Sequence, residues 1–350
     1  MRHLVVFLTA LVLAAPGAIA ATPTPFTLAV IGDQQRPVDQ RDEHDYLDRF
    51  TSQTKWLAEN AARLNLRMVL QVGDIVEHGP NRAEYDAALA AMQLLDAATN
   101  ADGGKGVPWC VAYGNHEIIG AATKPTIDLA GPEPSANYRH YFGSASGTHR
   151  YANQAEFQGV SQNDLNTWHI IKSSKKDDAS SYLILNLEID VPGDKQGTTF
   201  DAIAWAQKIL KDHPNMPTIV VTHVFEGTKH GPPKNSYIRG FGHNSQLEIF
   251  EKLIKNNPQI LMVLSGHTSE DTHQFKQNAI GQPVLQMVTD YNKWLGTAGD
   301  GFFRLLEIDE PAGKIRVKTY SALLNQSRTD PNSQFEFRVD FALVRSSGAM

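Results

Sequence analysis

A chain of 350 residues, 41% of them hydrophobic, can bury a large globular core, and a formal charge of −6 at neutral pH argues against bulk binding to a nucleic-acid backbone. The one cysteine, Cys110, excludes an internal disulfide and a cysteine-rich zinc frame.

The first twenty residues, MRHLVVFLTALVLAAPGAIA, combine a basic start, an apolar stretch and an Ala18-Ile19-Ala20 ending, the pattern of a cleaved signal peptide. The mature chain is expected to begin near Ala21 and to be periplasmic or secreted. No later stretch approaches eighteen apolar residues, so no membrane span is expected after cleavage. The first strand-like run, FTLAVIGD, delivers Asp33, with Gln35 two places beyond. Apolar residues at helical spacing follow over 46–64, then RMVLQVGD ends at Asp74, and a second helical pattern covers 82–98. WCVAYGNH closes on Asn115 and His116. From about 124 to 180 the chain turns to a mixture of Gly, Ser, Asn and aromatic residues, which reads as an irregular insert beside the site. A helical pattern over 199–213 leads to TIVVTH, which ends at His223. Another over 244–257, capped by Asn244 or Ser245, leads to ILMVLSGH and His267. After 270, PVLQMVTDY, GFFRLLEID, KIRVKTYSAL and QFEFRVDFALV suggest a second sheet packed on the first.

Five apolar runs thus end in residues able to bind a metal. Strand and helix alternate, and open α/β sheets place their sites on loops at the carboxyl ends of strands. Each residue alone has an ordinary explanation as a turn or a hydrogen-bonded side chain; five in this order do not. Asp33, Asp74, Asn115, His223 and His267 form a mixed oxygen and nitrogen set suited to Mn, Fe or Zn rather than calcium. Two ions about 3.5–4 Å apart would clamp a phosphate and activate a water, with no need for a nucleophilic serine or cysteine. Consistent with that, DGGKG at 102–106 lacks Walker spacing and no G-x-S-x-G is present.

The order of blocks resembles the calcineurin-like metallophosphoesterase superfamily, whose pattern runs D-x-H, G-D-x-x, G-N-H-[DE], a later H, and G-H-x-H. The corresponding stretches are GDQQ at 32–35, GDIV at 73–76, GNHE at 114–117, THVF at 222–225 and GHTS at 266–269. QMVTDYN and KTYSAL also resemble secreted members that carry glutamine in the first motif. The resemblance implies a four-layer αββα sandwich of two mixed β-sheets flanked by helices, in a single domain over 21–350. It implies metal-dependent hydrolysis of phosphate-ester substrates by a metal-activated water. Asp74 would bridge two metals, Asp33 would bind the first, and Asn115, His223 and His267 would complete the second. His116 would stand just outside, steadying phosphoryl oxygens or protonating the leaving group.

The family's two first-site imidazoles fall here at Gln35 and Ser269, both weaker donors for a transition metal. The expectation is therefore one firm metal and one labile metal near Asp33, Asp74 and the weak ligand Gln35, with water filling vacancies; His273 and Glu270 are near enough in sequence to be candidates to bend in, but are not counted among the expected ligands. The alternative is a binding protein that keeps the fold without a complete first site; a hydrolase using one metal is a third reading. Candidate substrate contacts are His44, Asp45, His230, Tyr237, Arg239 and His243. Glu188, Asp290 and Tyr291 resemble family positions that a turn or strand end explains equally well, and SSKKDD at 173–178 reads as a solvated turn.

Overall fold

The computed structural model describes residues 25–39, 45–119, 136–143, 151, 153–174, 180–193, 195, 200–225, 242–292 and 298–346. The signal segment, His44, His230, Tyr237, Arg239 and most of 173–178 lie outside the described residues.

The apolar runs become short strands. In chain order these are β1 (Phe26–Ile31), β2 (Leu66–Gln71), β3 (Trp109–Val111), β4 (Phe157–Val160), β5 (Thr167–Lys172), β6 (Ser181–Asn186) and β7 (Thr218–Val221). They continue with β8 (Ile260–Ser265), β9 (Asp271–Gln277), β10 (Pro283–Thr289), β11 (Phe302–Asp309), β12 (Lys314–Ser321), β13 (Gln326–Arg328) and β14 (Gln334–Arg338). The helices are α1 (Gln35–Val38), α2 (Leu47–Leu64), α3 (Arg82–Gln93), α4 (His116–Ile119), α5 (Ala136–Phe142), α6 (Ala202–Asp212), α7 (Gln246–Ile249) and α8 (Phe341–Ser346). One sheet has the order β13-β12-β11-β1-β2-β3 with β14 added on β12; the other has the order β4-β5-β6-β7-β8-β10-β9. Both are mixed: β1 is parallel to β2 and antiparallel to β11, while β10 is parallel to β8 and antiparallel to β9.

Strand side chains alternate between faces, so a run that is apolar throughout must be covered on both sides. In β6, Tyr182 and Ile184 join the core shared with Leu28 and Val69 of the first sheet. Leu183 and Leu185 point the other way, into a cluster with Ala206 and Leu210 of α6. Phe50, Leu57 and Ala61 of α2 pack in the first core, with β1 and β2. The layers are helix, sheet, sheet, helix, the αββα sandwich. Cys110 is buried in β3 as an apolar residue.

Helix ends follow local chemistry. Asp201 caps α6 by accepting from the Ala204 amide at 2.8 Å. Ser245, not Asn244, caps α7, in a reciprocal box with Glu248. Asn244 donates its side chain to the Val191 carbonyl at 2.8 Å. The single helix expected over 244–257 is instead one α-turn followed by a π-turn at Phe250–Ile254.

Two expectations change. The strands after 270 do not form a sheet of their own: β9 and β10 extend the second sheet, and β11–β14 return to the first through β1. Nor is the stretch 124–180 irregular throughout, because it contributes α5, β4 and β5. β5 alternates buried and part-exposed positions over only six residues between polar segments, too short a signal to stand out in the sequence. The sheets are also tied by charge: buried Arg304 of β11 pairs with Asp271 at the start of β9, and its Nε donates to the Tyr291 hydroxyl at 3.3 Å.

Candidate metal centre

The first sheet brings Asp33, Asp74 and Asn115 past the ends of β1, β2 and β3; the second brings His223 and His267 past β7 and β8. Facing carboxyl ends of the two sheets put them together. Asp74 Oδ2 lies 3.0 Å from His223 Nε2, and ligand atoms of Asp74, His223 and His267 all fall within 4.8 Å of one another. The His223 and His267 rings meet edge to face at 5.1 Å between centroids. Asn115 Oδ1 is 3.1 Å from His223 Nε2, and both Asp33 oxygens accept from the His267 amide at 3.1–3.2 Å.

Three glycines make this approach possible. A β-carbon at Gly73 (φ +102°) would lie 2.6 Å from His223 Nδ1, one at Gly114 2.3 Å from Asp74 Oδ1, and one at Gly266 2.1 Å from Asp33 Oδ1. Each glycine precedes a ligand or follows its strand because a side chain there would occupy the pocket. Asp74 (φ 51°) and His267 (φ 74°) hold left-handed backbone, a conformation costing about 1–3 kcal/mol that persists only where surroundings impose it.

His223 reveals what the pocket accepts. Its Nδ1 lies 3.0 Å from the Val72 carbonyl, an acceptor only, so the Nδ1 proton is fixed there. Nε2 then faces a carboxylate oxygen and an amide oxygen at once. Three lone-pair donors converging in a buried place call for a cation: a second proton, or a divalent ion. The donor set suits the latter, with Asp74, Asn115, His223 and His267 supplying two oxygens and two nitrogens.

Burial would raise the Asp74 carboxyl, but His223, then His116 and His267, outweigh it and hold this group below the usual carboxylate range. Burial, and after it Asp290 and Asp74, pushes Asp33 well above its ordinary value. His116 stands at the edge: its Nδ1 is 3.0 Å from the Glu77 carbonyl and its Nε2 is 3.8 Å from Asp74 Oδ2. Burial pulls His116 down, yet Asp74 and Glu77 more than offset it, so the ring holds a proton more tightly than usual.

Glu117, in the GNHE block, has a role that sequence reasoning missed. Fully buried, it accepts from the amides of Asp74 (3.1 Å), Gly114 (2.6 Å), Ile75 (2.7 Å) and Val76 (3.3 Å), fastening the loop after β2 to the loop after β3. Burial, then Asp74, moves its pKa up to about 7. Its signal was the acidic fourth residue of that block.

Other expected residues have partners of their own. His273 lies flat on Phe335 with ring centroids 3.6 Å apart, which commits it to the seam between β9 and β14 rather than to the first metal site. Glu270 accepts the Asp290 amide with its carbonyl. Asp45 accepts from the Leu47 amide at the start of α2, and burial holds His243 down to about 4. Glu188 accepts from Asn163 and Asn166, each at 2.7 Å. A cleft of about 380 Å³ lined by Arg67, Asp102 and Lys172 opens by the amino ends of β2 and β3, at the other end of those strands from the carboxylates.

The model of one family, Calcineurin-like phosphoesterase, matches residues 26–271. The chain belongs to that family. Among curated proteins, this family member is similar to Uncharacterized protein YvnB of Bacillus subtilis (strain 168), 26% identical over 302 residues. The match covers 84% of this chain and 20% of the relative, so the chain spans about a fifth of that protein's length. Similar solved structures include purple acid phosphatase PPD1 from yellow lupin (Lupinus luteus) seeds, with TM-score 0.49 and 13% identity over 92% of this chain and 55% of that one. GAP50, the anchor in the inner membrane complex of Plasmodium, gives 0.45 and 11% over 93% and 94% of the two chains. TT1561 of Thermus thermophilus gives 0.45 and 12% over 85% and 100%. Among the described residues, no helix is long and apolar enough to cross a membrane.

Proposed function

We propose that this chain hydrolyses phosphate esters with divalent metal ions held by Asp33, Asp74, Asn115, His223 and His267. The observation that carries this reading is Nε2 of His223, which meets Asp74 and Asn115 oxygens at 3.0 and 3.1 Å in a buried pocket. Ions of the Mn, Fe or Zn type bound there would supply Lewis-acid polarisation of the phosphoryl group and an activated water.

The remaining work belongs to the chain. Val72 fixes the tautomer of His223 through Nδ1, and Glu117 holds the Asp74 loop rigid, so the ligands need little rearrangement on loading. Its Nδ1 held by Glu77, His116 carries a proton on Nε2, next to Asp74 and at the pocket edge. That proton steadies a non-bridging phosphoryl oxygen or passes to the departing alkoxide, which leaves as the alcohol. A protein that only bound ligands would have no use for such a proton donor.

The test is hydrolysis of aryl phosphate monoesters and diesters by chelated protein, before and after adding back manganese, iron or zinc. Metal-restored turnover supports the reading, and the better ester narrows the substrate class. Folded protein inert with every metal refutes it. Export is part of the same proposal, resting on the pattern of residues 1–20. Mass spectrometry of the mature protein should find a new amino terminus near Ala21; an intact Met1 refutes that part.

A further inference from the structure

A sixth strand behaves like the five that carry the expected ligands. β10 runs parallel to β8, with Val288 beside Ser265, and past its end it delivers Asp290 as β8 delivers His267. The β10 end packs directly on the β1 end. A β-carbon on Gly32 would lie 2.5 Å from the Thr289 carbonyl oxygen and 3.4 Å from the Asp290 α-carbon, so Asp290 sits against the residue that precedes Asp33.

The Asp290 carboxylate is 1% exposed and held from both sides: Oδ2 accepts from the Ser269 amide at 2.6 Å, and Oδ1 from the Asn292 amide at 2.9 Å. Ser269 occupies the position where the family resemblance expects an imidazole, and its left-handed backbone (φ 52°) accompanies this hydrogen bond to Asp290. Each carboxylate oxygen has a second lone pair beyond these bonds. The Ser269 amide held by Asp290 is two residues along the chain from the His267 amide held by both Asp33 oxygens at 3.1–3.2 Å, so the two carboxylates grip one short loop. Gln35 approaches the same place: its Nε2 is 3.5 Å from Asp74 Oδ2, while its buried Oε1 has no hydrogen-bond partner. Arg304, on β11, is already paired with Asp271.

We infer that Asp290 is a ligand of the first metal site, standing in for the missing imidazole and making that site all-oxygen. The donors are Asp33, Asp74, Asp290 and the Gln35 amide oxygen. An all-oxygen set favours a hard cation, Mn²⁺ or Mg²⁺, whereas the imidazole pair of the second site favours Zn²⁺ or Fe²⁺. The chain is thus built for two different metals. This inference rests on the metal-dependent reading above and adds to it which residue and which class of ion complete the first site.

The test loads chelated full-length protein with one equivalent of zinc, then titrates manganese, following free Mn²⁺ by electron paramagnetic resonance and total zinc by elemental analysis. Wild type should retain its zinc and bind one further manganese. Asp290→Asn, which keeps the shape, should weaken the manganese step by about tenfold or more and leave zinc unchanged. Ser269→Ala, which keeps the backbone amide, should bind both ions as wild type does. Unchanged manganese binding in folded Asp290→Asn overturns the inference. So does wild-type protein that takes two zinc ions with equal affinity, a result independent of whether the variant folds. Binding of a single ion with metal-restored hydrolysis also overturns it while sparing the phosphoesterase reading; failure to bind any ion sinks both.

Discussion

The two halves of the pocket are built from different chemistry. On one side two imidazoles, His223 and His267, converge with Asp74 and Asn115; on the other, Asp33 and Asp290 hold the amides of His267 and Ser269 and Gln35 approaches Asp74, with no imidazole among them. Neither half belongs to a single sheet, since Asp33 and Asp74 leave the first sheet while His223, His267 and Asp290 leave the second. The difference teaches that where two imidazoles are missing, buried oxygen groups can still line the same place. Where the family pattern places histidine at 269, the backbone of that residue instead orients a carboxylate.

Removing a nitrogen ligand should break this contrast most severely. His223→Ala is expected to lower metal-dependent aryl phosphate hydrolysis by about a thousandfold or more, because the Lewis-acid contribution amounts to several kcal/mol. Elemental analysis should show the zinc-preferring ion lost. His116→Gln separates proton donation from metal binding: kcat is expected to fall by about a hundredfold or more with metal content unchanged. Equal loss of metal would assign His116 to the ligand set instead. Glu117→Gln loosens the fastening of the β2 and β3 loops. It should weaken metal binding by about 10–100-fold, read by competition with a chromogenic chelator. Gln35→His gives the oxygen half one imidazole and should raise its zinc affinity by about tenfold, narrowing the gap between the halves. An unchanged affinity would mean that residue 35 does not reach the ion.

The imidazole half was legible in the sequence because each of its residues closes an apolar run, and such runs mark buried parallel strands by composition alone. Glycines at 73, 114 and 266 were legible too, though only the distances explain why nothing larger fits. Asp290 was harder to read: QMVTDY looks like any strand entering a turn, and only packing against Gly32 brings it to Asp33. The role of Glu117 depends on four backbone amides from two loops, which a motif cannot convey. The division of the last six strands between two sheets is likewise hidden, since antiparallel pairing is set by long-range packing rather than by spacing. His273 misled because a histidine near a depleted site invites use, whereas its ring lies against Phe335.

β1 pairs on one side with β2, close behind it in the chain, and on the other with β11, where Val30 lies opposite Arg304. During synthesis, all five motifs from Asp33 to His267 therefore emerge before the strand that completes the sheet around the first of them. A fragment ending before Phe302 would contain every expected ligand and still leave one edge of β1 open and Asp271 without Arg304. The pocket is finished late in the chain's history, and a newly made protein should gain its metal binding only after β11 and the strands that follow it have been made.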